Sequence, residues 1–344
     1  MKYAGLALLA VCFITFCTPS NTEASQNANS SNYESELKKL TQELLEDPQN
    51  ASLHYSRALV HTKYQHFEEA IVDAQLAMRY DSNKAEYALA LVDAYFYQNQ
   101  TRKAKDLLLN AKNRYKNPEI HLKLAELYLW IRSYQEAINE VNTALKMDEH
   151  LAQAYFIKAN IYRESGDTLK SISSYETALD QNPQMDDARF DLALIYAAQS
   201  NPLALTYLEQ VLRNRPNDTT AQYAYAYSLQ QLGQFDKAVL AYEALTQKAS
   251  GYGDAFYNLG ALRFAISSCK DLKKALSSFN RAIQIQPQMV RAYLARACVY
   301  KELNNSAAAI ADYEFCLQRV FYEITTFYSD ILSRLCFRIL YSLF

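Results

Sequence analysis

The sequence predicts an all-α solenoid of about eight helix-turn-helix units, and three columns of small residues predict it. Ala77, Ala111, Ala144, Ala178, Val211, Leu245, Ala282 and Cys316 recur at intervals of 34, 33, 34, 33, 34, 37 and 34 residues. Ala70, Ala104, Ala137, Ser171, Ala204, Ala238, Ala275 and Ala309 keep the same rhythm, as do Ala58, Val92, Ala125, Ala159, Ala193, Ala226, Gly260 and Ala297. A globular core has no reason to repeat three such columns in register. A stack of two-helix units does, because the same close helix–helix approach recurs in every unit. Composition agrees: Gly (6) and Pro (7) are scarce, and half of the 344 residues are hydrophobic, which favours helices with a continuous packed interior. A length prior of roughly 150 residues per domain would give two or three domains; the repeat overrides it, since a solenoid grows by adding neighbours.

The chain opens with an address. Lys2 precedes the apolar run Ala4 to Phe16, and a stretch rich in Ser, Asn and Thr follows Cys17. This is the charged start, short hydrophobic stretch and polar exit of a secretory signal over residues 1–16; the run is shorter than the about 20 residues of a bilayer span. The segment resembles a bacterial lipoprotein signal, which implies lipidation at Cys17. Ile14 and Thr15 suit such a signal, whereas Phe16 stands where small residues are the rule. Cleavage after Ala24 and an uncleaved anchor are the alternatives. Residues 17–32 read as a polar flexible tether. Residues 33–50 read as an N-terminal capping segment, whose helix from Glu34 to Leu45 aligns Leu37, Leu40, Leu44 and Leu45 before Asp47-Pro48 ends it.

Residues 51–319 hold the eight units, and the fourth is the clearest. Ala152 to Arg163 places Ala152, Tyr155, Phe156, Ala159 and Tyr162 on one helix face. Gly166 suits the left-handed conformation that ends a helix, and Asp167 suits the cap of the next. Leu169 to Leu179 aligns Ile172, Tyr175, Ala178 and Leu179, and Asn182-Pro183 stops the helix. Unit six repeats the scheme with Ala226, Gly233, Ala238, Tyr242 and Leu245; unit eight with Ala297, Tyr300, Ala309, Tyr313 and Cys316. On these residues the chain is similar to the tetratricopeptide repeat family, and the resemblance implies a right-handed superhelix whose first helices line a concave groove. Departures are local. Unit two has Val92, Leu108 and Lys116 at pattern positions, unit five starts its second helix with Asn201-Pro202, and unit seven carries three extra residues around Ser267 to Lys270.

Chemistry is sparse. His54, His61 and His66 fall in the first unit without Cys, Asp or Glu beside them at metal-ligand spacing, so they read as solvated or partly buried helix residues. No phosphate loop, nucleophile elbow or HExxH motif occurs, and no cofactor is expected. With 35 basic and 37 acidic residues, no face is basic enough for nucleic acid. Cys316 stands in a small-residue column and reads as a buried hydrophobe.

The position lining the implied groove reads Tyr55, Leu89, Leu122, Phe156, Phe190, Tyr223, Tyr257 and Leu294; one turn on come Asp93, Glu126, Asn160 and Tyr227 among others. The expected groove is therefore an aromatic-aliphatic strip with an acidic patch at Glu86, Asp93, Glu119 and Glu126. Family members that grip a C-terminal carboxylate use Lys and Asn here; Asn160 and Arg163 match only part of that pair, and Phe156 occupies the Lys position. The candidate protein-binding residues are Tyr55, Phe156, Asn160, Phe190, Tyr223, Tyr227 and Tyr257, against the bland reading that neighbouring units bury them as core.

Residues 320–344 are dense in Phe, Ile, Leu and Tyr, with Glu323, Asp330, Arg334 and Arg338 on one stripe. They read as a C-terminal amphipathic helix, either capping unit eight or making a membrane-surface or homo-oligomer contact. The functional expectation is a non-catalytic scaffold binding a peptide or protein partner, exported and lipid-anchored to a membrane of a bacterial envelope, facing the periplasm. The alternatives are a cytoplasmic-side or host-directed interaction protein with an uncleaved anchor, and an envelope-processing enzyme.

Overall fold

A computed structural model describes residues 23–266 and 270–319. The signal segment, the Cys17 site, residues 320–344 and the insertion at 267–269 lie outside the described residues. After α1 (Glu23–Glu46), the helices come in pairs: α2 (Ala51–Lys63) and α3 (Phe67–Tyr80), α4 (Ala85–Tyr97) and α5 (Thr101–Arg114), α6 (Pro118–Trp130) and α7 (Tyr134–Met147). There follow α8 (Ala152–Glu164) and α9 (Thr168–Gln181), α10 (Asp186–Ala198) and α11 (Leu203–Asn214), α12 (Thr219–Gln231) and α13 (Phe235–Lys248), α14 (Gly253–Ala265) and α15 (Leu272–Ile285). The last pair is α16 (Val290–Glu302) with a helix over residues 306–319, α17. No strand occurs among the described residues. The all-α repeat architecture read from the columns is the one observed.

The chain divides after Ser165 into two compact units. In the first, each helix from α1 to α8 packs on the next, and first helices also touch one another, α2 on α4 and α6 on α8. In the second, α9 to α16 pack in succession, with α10 on α12 and α14 on α16. In these four couples, first helices of neighbouring pairs lie side by side.

Every position of the three small-residue columns is buried. Gly260 shows why the columns are small: a Cβ there would lie 2.8 Å from Cε1 of the buried Phe279 ring. The second helices supply the bulk that fills the space so opened, through the fully buried Tyr175, Tyr242 and Phe279. Burying one such side chain contributes roughly 1.5–3 kcal/mol.

The turn inside seven of the eight pairs is also periodic. Gln65, Asn99, Arg132, Gly166, Ser200, Gly233 and Asn304 all have positive φ, between 51° and 86°. The next residue then donates its N–H five residues back: His66 to His61 O (2.8 Å), Gln100 to Tyr95 O (2.8 Å), Ser133 to Tyr128 O (2.8 Å), Asn201 to Tyr196 O (2.9 Å). This is the six-to-one bond of a Schellman cap. Only two of the seven positions are Gly, so at Gln65, Arg132 and Ser200 packing of the pair overrides a left-handed penalty of about 1–2 kcal/mol per residue. The turns between pairs use side chains instead: Asp81, Asp148 and Asn182 each accept the N–H two residues on, at 2.9–3.0 Å.

Helix α1 departs from expectation. Its described residues run from Glu23, so residues 23–32 are helical where a flexible tether was expected. The stretch holds no Gly or Pro to stop a helix, and propagation needs only one further bond per residue once the turn over the packed segment exists. Leu44 is buried, Leu37 and Leu40 half-buried, and Leu45 is exposed rather than packed.

Candidate functional site

On the first unit, Tyr55 of α2 packs its ring on Tyr87 of α4, centroids 5.1 Å apart. Around it α4 brings Glu86 and Asp93, and α6 brings Glu119. Burial raises the Tyr55 hydroxyl above its ordinary pKa, and the charges of Glu86, Glu119 and Asp93 add to the rise. Lys123 Nζ sits 2.6 Å from Asp93 Oδ1. Glu126 is exposed to solvent, yet its carboxyl is held above the usual carboxylate range; desolvation contributes most, Lys123 opposes it, and Asp93 and Glu119 add to it. The expected acidic patch is therefore real as a set of neighbours. Phe156 and Asn160, both on α8, are half-buried.

On the second unit, Phe190 of α10 is half-buried against Ala193, Leu208 and Ala224. Tyr223 and Tyr227, one turn apart on α12, stack at 6.2 Å with planes 16° apart. Tyr227 is exposed at 38 %, whereas Tyr223 is half-buried and its other neighbour is the Tyr252 ring at 5.1 Å. The hydroxyl of Tyr223 is held from within: Asn258 Nδ2 donates to it at 3.0 Å and to the buried Tyr242 hydroxyl at 3.1 Å. Burial, with the Asp254 charge, pushes Tyr223 up to about 12. Tyr257 belongs to the next cluster, with Phe279 at 5.9 Å and the Arg291 guanidinium 4.6 Å over its ring. Arg291 is also ion-paired with Asp254.

The candidate residues thus form rows on first helices rather than one compact site. The structure brings Tyr223 and Tyr227 together, places Tyr257 in a neighbouring cluster and leaves Tyr55 and Phe190 in clusters of their own. Sequence reasoning missed Tyr252 and Asn258. Asn258 lies 35 residues after Tyr223, close to the repeat period, so a search for polar residues one period away would have found it.

The histidines behave differently from the expectation. His54 and His61 are buried, and Asp73 of α3 lies between them. His54 Nδ1 is 2.9 Å from Asp73 Oδ1, with its Nε2 3.0 Å from Pro48 O. Arg57 adds a two-pronged contact to Asp73 at 2.6 and 2.7 Å, and His61 Nε2 approaches to 3.4 Å. Tyr33 of α1 closes the cluster by bonding His61 Nδ1 at 3.1 Å and stacking on His66 at 4.3 Å. Desolvation alone would raise the Asp73 pKa, but hydrogen bonds from His61, Arg57 and His54 outweigh it and hold the carboxyl well below its usual range. The acid missing beside these histidines in sequence arrives from the neighbouring helix. A guanidinium occupies the place where a cation would sit. Among the described residues, no group of three or more His, Cys, Asp or Glu side chains is placed to hold a metal ion. No described helix is long and apolar enough to cross a membrane.

Family profiles described as tetratricopeptide repeat match residues 122–184, 156–203, 200–252 and 223–290, and a second such profile matches 290–319. Together they span more than half of the chain. The chain belongs to the tetratricopeptide repeat family. Its repeats make it a protein-interaction scaffold, the role such helix pairs serve. Among curated relatives, Protein FlbA of Caulobacter vibrioides is 25 % identical over 199 residues, 58 % of this chain and 33 % of its own length. A UDP-N-acetylglucosamine–peptide N-acetylglucosaminyltransferase of Giardia intestinalis is 32 % identical over 104 residues, 29 % of this chain and 7 % of its own. The match therefore spans only a third of the first relative and a small fraction of the second. Among solved structures, the C-terminal part of a tetratricopeptide repeat protein from Cytophaga hutchinsonii shares the fold at a TM-score of 0.57 and 16 % identity, covering 68 % of this chain and 95 % of that one.

Proposed function

We propose that this tetratricopeptide repeat protein is a non-catalytic scaffold that holds a segment of another polypeptide along its first-helix faces, with aromatic side chains as anchors. The observation that carries the reading is the Tyr223–Tyr227 stack: one ring is fixed by packing and by Asn258, and the other is presented to solvent beside it. A rigid exposed aromatic loses little conformational entropy on contact, which is why such residues dominate binding energy at interfaces. Tyr257, held under Arg291, offers a second anchor on the adjacent first helix. The non-catalytic part of the reading rests on the scaffold role of the family.

The test uses a partner recovered by affinity capture on the full chain and then purified. Tyr227→Ala and Tyr257→Ala are each expected to weaken its Kd about tenfold, the loss of about 1.4 kcal/mol, with the thermal melt unchanged for Tyr227→Ala. Unaltered affinity in both variants would overturn the reading.

Export with a lipid tether at Cys17 is part of the same proposal, supported by the signal-like segment 1–16. Metabolic labelling with a palmitate analogue should mark the wild type and leave Cys17→Ala unmarked. No label on the wild type would favour the uncleaved anchor or cleavage after Ala24, and equal labelling of the two would place the lipid elsewhere in the chain.

A further inference from the structure

We infer that the rim formed by the turns of the second and third repeats docks on an anionic lipid surface. Trp130, Tyr97 and Ile131 would enter the headgroup layer, and Arg102, Lys103 and Arg132 would meet its charge. The inference is independent of the scaffold reading and of any lipid at Cys17.

Large apolar side chains stand in water at this rim: Trp130 is 71 % exposed, Tyr97 57 % and Ile131 45 %. Trp130 ends α6 and Tyr97 ends α4, so the two hold equivalent places at the same end of neighbouring pairs. Two contacts tie the rim together. The Phe67 ring, at the start of α3, stacks on Tyr97 at 5.0 Å. Lys105 Nζ, one turn into α5, lies 5.4 Å over the ring of Tyr128, just before Trp130.

Charge is the second, separate observation. Acidic residues occupy the first turns of α3 and α7, namely Glu68, Glu69 and Glu136, where the helix macrodipole favours them. The first turn of α5 has no acid and carries Arg102 and Lys103, and Gln100 gives it no side-chain cap. Arg102, Lys103 and Arg132 are exposed and make no ion pair among the described residues. In the same unit Lys63, Lys112 and Lys123 are matched to Glu36, Glu140 and Asp93. Cations set against a helix N-terminus are relieved by an arriving anion. An anionic bilayer answers both observations, because indole and phenol rings settle between acyl chains and headgroups while Lys and Arg meet the phosphates. The rim lies at helix ends, off the first-helix face that the scaffold reading assigns to a partner.

The test follows the emission of Trp130, the single Trp of the chain, in the full chain carrying Cys17→Ala as vesicles are added. Vesicles of phosphatidylglycerol and phosphatidylcholine in equal parts should shift the emission to the blue, and brominated acyl chains should quench it. Phosphatidylcholine alone should bind about tenfold more weakly. Arg102→Gln/Lys103→Gln/Arg132→Gln should weaken binding to the anionic vesicles about tenfold. Binding should also fall as salt rises past about 0.15 M, where screening reaches about 8 Å. The control Lys146→Gln/Arg213→Gln/Lys248→Gln removes exposed cations from the last turns of α7, α11 and α13 and should bind like its parent. Equal losses in both variants would mean diffuse attraction to net charge and would overturn the inference, as would equal binding to both lipid compositions. Vesicle binding that leaves Trp130 emission unmoved would place the contact elsewhere in the chain and also overturn it. No vesicle binding, with Trp130 shielded from acrylamide by a captured partner, would overturn it and assign the rim to a protein.

Discussion

Asp73→Ala destabilises the first repeat by about 3–5 kcal/mol, the cost of removing one member of a buried charge cluster and leaving the others unpaired. Arg57 loses both of its short contacts, and His54 and His61 each lose a partner. Because a repeat stack is stabilised by neighbours alone, the loss stays local. Hydrogen exchange should show α1, α2 and α3 deprotected while helices of the second unit keep wild-type protection. A change below about 1 kcal/mol, or uniform deprotection along the chain, would show that the cluster is not what holds the first repeat.

The same group sets an acid limb. Asp73 is held below its unfolded pKa of about 3.9, so its contribution is present above that pH and is lost as pH falls through the lower folded value. Asp73→Asn should flatten the loss of stability on acidification, because an amide has no proton to gain.

Tyr242→Ala costs about 3–5 kcal/mol through the cavity it leaves among fully packed neighbours, whereas Tyr242→Phe costs only about 1 kcal/mol through the lost hydroxyl. Tyr242 is also the post under the candidate anchor. Its hydroxyl donates to Gln230 Oε1 at 3.2 Å and accepts from the Asn258 amide that holds Tyr223. Tyr242→Phe should therefore weaken the partner more than it weakens the fold, while leaving the exposed Tyr227 in place. Chemical denaturation checks the first statement, and binding of the purified partner checks the second. Equal stability of the Ala and Phe variants would contradict the packing role.

What was legible in the sequence follows from what a repeat does to a pattern. Ala193, Gly260 and Cys316 differ in type yet answer to one spacing, and each is buried; periodicity averages over single departures such as Val92. The left-handed turns were legible only at Gly166 and Gly233. At Gln65 and Arg132 tertiary packing selects a conformation that the side chain itself disfavours, and no local signal records it. The His54–Asp73 contact joins residues 19 apart on different helices, outside any metal-ligand spacing searched for along one helix. The partner of the Tyr223 hydroxyl was not legible locally, because Asn258 comes from the next repeat. The acidic patch was readable because Glu86, Asp93, Glu119 and Glu126 share positions along first helices, and helix geometry alone brings them together.

The central claim is that the partner lies on the first-helix face. Site-specific photocrosslinking on the full chain tests it most directly, with a benzophenone amino acid at Tyr227 and Leu294 on first helices and at Leu240 and Ile310 on second helices, all four exposed. Crosslinks to the partner from Tyr227 and Leu294, with none from Leu240 and Ile310, are the expected result. Crosslinks of equal or greater yield from Leu240 and Ile310 would contradict it and move the binding surface to the opposite side of the helix pairs.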